Sequence, residues 1–401
     1  MIKLNKKLLS GSIILLITFG LFNLMGYIFH FSMARMLSIA DYGIIVTLFS
    51  IIYILAIFSE SIQTVITKYS ANEDKKGKLK NIFKKTLKKA FALSILFFFL
   101  YIILAFPLSK ILKIDYALLA LNGLIIFSIF FMPISRGIMQ GRKMFMSLGI
   151  NMIIESSGKL IFPILFVLLG WKLYGVIGGV ILATFTAFAF SFYFLKPIIN
   201  AKEEKAQTLG IYNYTTPVFI IIFTILIFYS LDVIIAKIVF SPEVAGYYAI
   251  SSILAKTIFF GTQPIGKAMF PMTSERKEDE KKIKIFFNAL LIIIILIIFI
   301  LALFYFFSEE IIRIFSGKSI IQSSEILIYV SIATSFISIT NLNLLYKASR
   351  NEIKGSVYLP LFILFEIAIL MVFSGNLFEF SLAYMTASAI LLWGSAILLK
   401  K

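Results

Sequence analysis

Apolar residues run in twelve long stretches separated by short polar connections: near 9–33, 43–66, 87–107, 116–135, 148–169 and 174–195, then 214–236, 246–270, 285–307, 322–346, 356–373 and 381–399. A hydrocarbon core of about 30 Å takes about 20 apolar residues per helical span. Within lipid an isolated segment can satisfy its backbone N–H and C=O groups only as a helix. The pattern therefore predicts an all-α polytopic membrane protein of about twelve transmembrane helices, counting each stretch as one span. The first stretch follows Lys3, Lys6 and Lys7, as a signal peptide would. It is too long for an h-region and no small-residue cleavage site follows it, so it reads as an uncleaved first helix.

A polar connection from Pro197 to Tyr214, containing Lys202-Glu203-Glu204-Lys205, divides the chain into two six-helix lobes, 1–200 and 201–401. The lobes resemble each other at their span ends. Ala34-Arg35 followed by Asp41-Tyr42-Gly43 reappears as Ala236-Lys237 followed by Glu243-Val244-Ala245-Gly246-Tyr247, and Gln140-Gly141-Arg142-Lys143 has a loose counterpart in Lys347-Ala348-Ser349-Arg350. Six spans separate the copies, so both run the same way through the membrane, the parallel-repeat plan of transporters with two lobes about a central site.

Composition narrows the chemistry. With 60% hydrophobic and 14% charged residues, against roughly 25% charged in a soluble domain, there is no room for a large soluble domain. The absence of cysteine and the single histidine, His30, argue against a metal centre and against nucleophilic catalysis, and no catalytic residue and no cofactor is expected. The formal charge of +18 reads as anchoring against anionic lipid rather than as a nucleic-acid surface. Lys and Arg gather on alternate connections: the N-terminus, Lys68 to Lys89, Arg136/Arg142/Lys143, Lys196/Lys202/Lys205, Arg276 to Lys284, Lys347/Arg350/Lys354 and Lys400/Lys401. The positive-inside rule then puts both termini in the cytoplasm of a multi-pass cell-membrane protein. Within Lys68 to Lys89, Leu79, Ile82, Phe83 and Leu87 lie at helical spacing among lysines, which predicts a basic amphipathic segment on the inner leaflet ahead of the third span.

The pattern Ala34-Arg35-Met36-Leu37 … Asp41-Tyr42-Gly43, with Asp232 … Pro242-Glu243-Val244-Ala245-Gly246-Tyr247-Tyr248 in the second lobe, resembles the polysaccharide/O-antigen flippase family of the multidrug/oligosaccharidyl-lipid/polysaccharide exporter superfamily. The resemblance covers nearly the whole chain, although many relatives carry two further C-terminal spans. It implies alternating-access movement of a polyprenyl-diphosphate-linked glycan from the cytoplasmic to the outer face, for cell-surface polysaccharide synthesis. Membrane lipid and polysaccharide assembly proteins are the other partners it suggests.

An ionisable side chain inside a span is costly unless it faces protein or a wet cavity, so each one is a functional candidate. Glu155 and Lys159 lie four apart on one face of the fifth span with Pro163 a turn beyond; Asp232, Lys256, Glu366 and Glu60 lie in the seventh, eighth, eleventh and second. A diphosphate crossing lipid needs cations near the midplane, and Lys159 and Lys256 stand at that depth, with Glu155, Asn23 and Gln263 as further substrate contacts. Glu155 and Lys159 also read as a self-neutralising pair. His30 and Asp232 occupy matching places in the repeat. With Glu60 and Glu366 they are candidates for coupling to H+ or Na+, and the alternative for His30 and Asp232 is a single hydrogen bond. Arg35 and Lys237 read as boundary residues snorkelling to headgroups. A cation-coupled multidrug exporter is the alternative function, and a membrane-embedded glycosyltransferase or polymerase the third.

Overall fold

The computed structural model describes residues 6–206, 216–274, 279–350, 352 and 354–398. Lys3, residues 207–215 of the mid-chain connection, Arg276, Lys400 and Lys401 lie outside them. The helices are α1 (Lys6–Met36), α2 (Ile39–Ala71), α3 (Lys76–Leu112), α4 (Tyr116–Gly123), α5 (Ile125–Gly141), α6 (Phe145–Leu168), α7 (Lys172–Ile199), α8 (Thr216–Val239), α9 (Pro242–Ser274), α10 (Asp279–Phe306), α11 (Ser308–Ser316), α12 (Ile321–Ser349), α13 (Pro360–Val372) and α14 (Leu377–Leu398). A 3-10 turn, Lys354–Tyr358, leads into α13. Among the described residues twelve helical segments are long and apolar enough to cross a membrane, with α4 and α5 together making the fourth. They coincide with the twelve stretches read from the sequence.

Two compact units form, residues 1–36 with 55–214, and residues 37–54 with 215–401. This differs from the single cut at 200/201: the first half of α2 packs with the C-terminal unit. The reason is local and lies in the repeat motif itself. A Cβ on Gly43 would stand 2.9 Å from the Cα of Gly246, and one on Gly246 would stand 2.3 Å from the carbonyl oxygen of Ile39. Only paired glycines let α2 and α9 cross so closely. Tyr42 lies edge-on to Phe315 of α11, and Lys318 Nζ donates to the Leu37 carbonyl at 3.0 Å.

In the N-terminal unit the basic segment is a correction to the expectation. It is the first turns of α3, continuous with the third span, and its apolar face is buried in protein rather than in lipid. Phe83 meets Phe192 of α7 edge-on. Residues 201–206 form a strap on the same turns: Lys80 Nζ donates to the Ala201 carbonyl (2.8 Å), Asn81 Nδ2 and Lys84 Nζ each reach Glu203 (2.7 Å), and Glu204 N–H donates to the Gly77 carbonyl (3.2 Å). Lys84 and Asn81 hold the Glu203 carboxyl below the usual carboxylate range. Farther along, α3 exposes Phe91, Leu96, Phe99, Ile103 and Phe106, and α10 exposes Phe287, Leu291, Ile295 and Phe299, which are lipid-facing stripes. In contrast α5 is buried along nearly its whole length. There Gly141 lies against the Thr67 carbonyl of α2, with the added Cβ 2.5 Å away.

Candidate functional site: one buried charge cluster in each unit

In the N-terminal unit the cluster rests on the α6–α7 contact. Gly158 faces Ala183, and Gly179 faces the backbone of Phe162 and Pro163 with no room for a Cβ. This close approach lets Asn151 of α6 donate to the Ala187 carbonyl of α7 at 2.6 Å. Asn151, Glu155 and Lys159 follow at steps of four residues and so share one helix face. Arg136, five residues short of the end of α5 at Gly141, reaches across to that face. Its Nε donates to Asn151 Oδ1 at 2.9 Å and its Nη2 to Glu155 Oε2 at 2.5 Å, while Lys159 Nζ meets Glu155 Oε1 at 2.5 Å.

One carboxylate thus bridges two cations, one per oxygen, and the cluster keeps a net charge of +1. The side chains are 11% (Arg136), 7% (Glu155) and 33% (Lys159) exposed, so Lys159 is the accessible edge. The Glu155–Lys159 pair expected from the sequence is present and is half of a larger arrangement. Arg136 was read as part of a polar connection because the fourth span was ended at residue 135, and Asn151, within the fifth stretch, carries no charge to single it out. The helix runs on to Gly141, and Gly137 and Gly141, one turn apart, are where it approaches Ile66 and Thr67 of α2 too closely for a Cβ.

In the C-terminal unit Asp232 of α8 is fully buried. It accepts from Lys256 Nζ (3.0 Å), Ser252 Oγ (2.7 Å) and Tyr248 Oη (3.2 Å), all on α9 at successive steps of four. Lys256 Nζ also stands 4.6 Å from the centroid of the Tyr229 ring, one turn before Asp232. With its side chain 3% exposed, Lys256 is the buried counter-ion of Asp232. Glu366 of α13 is fully buried within electrostatic reach of both. Neither of its carboxyl oxygens, nor the hydroxyl of buried Tyr384, has a hydrogen-bond partner among the described residues.

The remaining candidates lie in varied surroundings. Asn23 and Glu60 are exposed and Gln263 is half-buried, and no side-chain bond ties them to either group. His30 lies in the N-terminal unit, edge-on to Phe29 with ring centroids 5.2 Å apart. Arg35 is exposed over the Phe31 ring, as snorkelling requires. Lys237 is instead buried.

The sequence profile of a family described as polysaccharide biosynthesis protein matches residues 32–325. No curated protein matches. Among solved structures, the inward-facing conformation of a multidrug resistance MATE family transporter of the MOP superfamily superposes with a TM-score of 0.73 at 13% identity, covering 93% of this chain and 94% of that one. The lipid II flippase MurJ in an inward closed conformation gives 0.67 at 17% identity, covering 97% and 87%. A MATE transporter in complex with MaL6 gives 0.62 at 14% identity, covering 98% and 95%. The family resemblance and the twelve-helix fold read from the sequence are thereby borne out.

Proposed function

Since the chain belongs to the polysaccharide biosynthesis protein family, we propose that it is a flippase, moving a polyprenyl-diphosphate-linked oligosaccharide from the cytoplasmic to the outer face of the cell membrane by alternating access. The observation that carries this reading is the Arg136–Glu155–Lys159 cluster, two cations on one carboxylate with Lys159 at its accessible edge. A net positive charge held inside a span is costly without a purpose. A diphosphate carries the opposite sign and accepts the charge-assisted hydrogen bonds that guanidinium and ammonium donate. The fold is shared with drug transporters and does not separate substrates; the family description and the sign of the cluster favour a lipid-linked glycan over a cationic drug. The transport itself asks for binding groups and no catalytic residue.

The test is reconstitution in vesicles, with a polyprenyl-diphosphate oligosaccharide offered on one face and followed on the other. Arg136→Ala or Lys159→Ala should slow flipping by roughly 10- to 100-fold, the range for loss of one charged hydrogen bond. Normal rates in both variants would defeat the reading.

A second element of the proposal is coupling to protons through the C-terminal cluster. An ionised carboxylate without partners is prohibitively costly in a dry interior, so Glu366, with both oxygens unpartnered, carries a proton in this state. Beside it Asp232 is held by Lys256 at 3.0 Å. Flipping driven by an imposed pH gradient, and lost in Glu366→Gln, is the expected outcome. Gradient-independent flipping by the unmodified protein would remove the coupling and leave the diphosphate reading standing.

A further inference from the structure

Glu155 sits where a bound anion would sit. Its two oxygens lie on Arg136 and Lys159, one each at 2.5 Å, the way two phosphate oxygens would bridge the same cations. Arg136 is held from behind by Asn151, itself fixed to the backbone of α7, so the cation stays aimed whether or not Glu155 is in place. Lys159, four residues along the same helix as Glu155, is one-third exposed. The seat is therefore preformed and already occupied.

We infer that Glu155 is a resident anion that the substrate diphosphate displaces from Arg136 and Lys159, and that its return is what releases the substrate; this rests on the flippase reading above. Two adjacent cations inside a span with no counter-charge would be strongly unfavourable, so the empty transporter needs Glu155 to keep the pair together. A site that held the diphosphate with two uncompensated cations would bind it tightly and let go slowly, whereas conduction requires binding favourable enough to enter and weak enough to leave. A competing carboxylate of the same geometry weakens the bound state and offers the cations an exit partner. Glu155 is in this sense a positioning and release residue and no direct ligand of the substrate.

The inference predicts a gain, which sets it apart from a structural role. Glu155→Gln should bind inorganic pyrophosphate about tenfold more tightly or better, since a like charge juxtaposed with a ligand costs at least that factor, while flipping of the lipid-linked oligosaccharide slows. Damage to packing would weaken pyrophosphate binding instead. Glu155→Asp, whose shorter side chain cannot bridge both cations, should move both readouts in the same direction and serves if the glutamine variant does not fold. Unmodified protein that flips while neither variant binds pyrophosphate more tightly overturns this inference and leaves the flippase reading intact. Unmodified protein that neither binds pyrophosphate nor flips overturns both.

Discussion

Asp232 and Lys256 make each other tolerable. With side chains 0% and 3% exposed, either one alone would be an uncompensated charge, and breaking such a pair by removing one partner costs about 3–5 kcal/mol. Asp232→Asn should therefore lower the thermal stability of the detergent-solubilised protein, and adding Lys256→Met should recover most of the loss; a single variant as stable as the parent would show that the pair is not buried in solution. Asn151 acts at the same scale. Replacing it with Ala leaves Arg136 Nε without this partner, for about 1–3 kcal/mol, and a pyrophosphate affinity that does not fall in the variant would refute its part in aiming Arg136. The sequence disclosed some of these residues and hid others for one reason. Spacing shows that Tyr248, Ser252 and Lys256 share a face, yet a helix apolar on every side does not say which face meets Asp232 and which meets a ligand.

Between helices, the close crossings set the tolerances. A methyl group at Gly246 would fall 2.3 Å from backbone, and one at Gly43 2.9 Å; backbone cannot swing aside as a side-chain tip can, and overpacking of this kind costs about 1–3 kcal/mol. Gly246→Ala should be the more damaging of the two, read as the larger drop in melting temperature. The strap at 201–206 is held by the Glu203 carboxylate, whose pKa is lowered by Lys84 and Asn81. A lowered pKa means that the hold is complete above the ordinary carboxylate range and is lost as pH falls through the lowered value. Protease cleavage after Lys205 in intact vesicles should therefore rise with acidification, and Glu203→Gln should show the acid behaviour already at neutral pH; pH-independent cleavage would argue against the carboxylate as the clasp. Spans were legible because twenty apolar residues in a row have few other uses, and helix ends were not. The basic start of α3 looked like a separate in-plane segment, since an amphipathic turn that packs on a neighbouring helix and one that lies on lipid have the same pattern. Nor does hydropathy tell which unit a half-helix joins, so the placement of residues 37–54 awaited the Gly43–Gly246 crossing.

For the whole molecule, the lysine-rich connections give a direct topology test. Cysteines placed at exposed Lys76 and Glu310 should be labelled by an impermeant reagent from the cytoplasmic side only and the outer side only, respectively; the reverse pattern would invert the direction of transport. The carboxylate bridging Arg136 and Lys159 bears on a different property, the tightness of the membrane itself. A cationic path through a bilayer invites chloride to leak down the membrane potential. A chloride ion would bring no more charge than the carboxylate it must dislodge, whereas a diphosphate brings about twice as much, so on the proposed reading the cluster would filter anions by valence. The resting protein should accordingly be nearly silent in a chloride-flux measurement, and Glu155→Gln should make it leak.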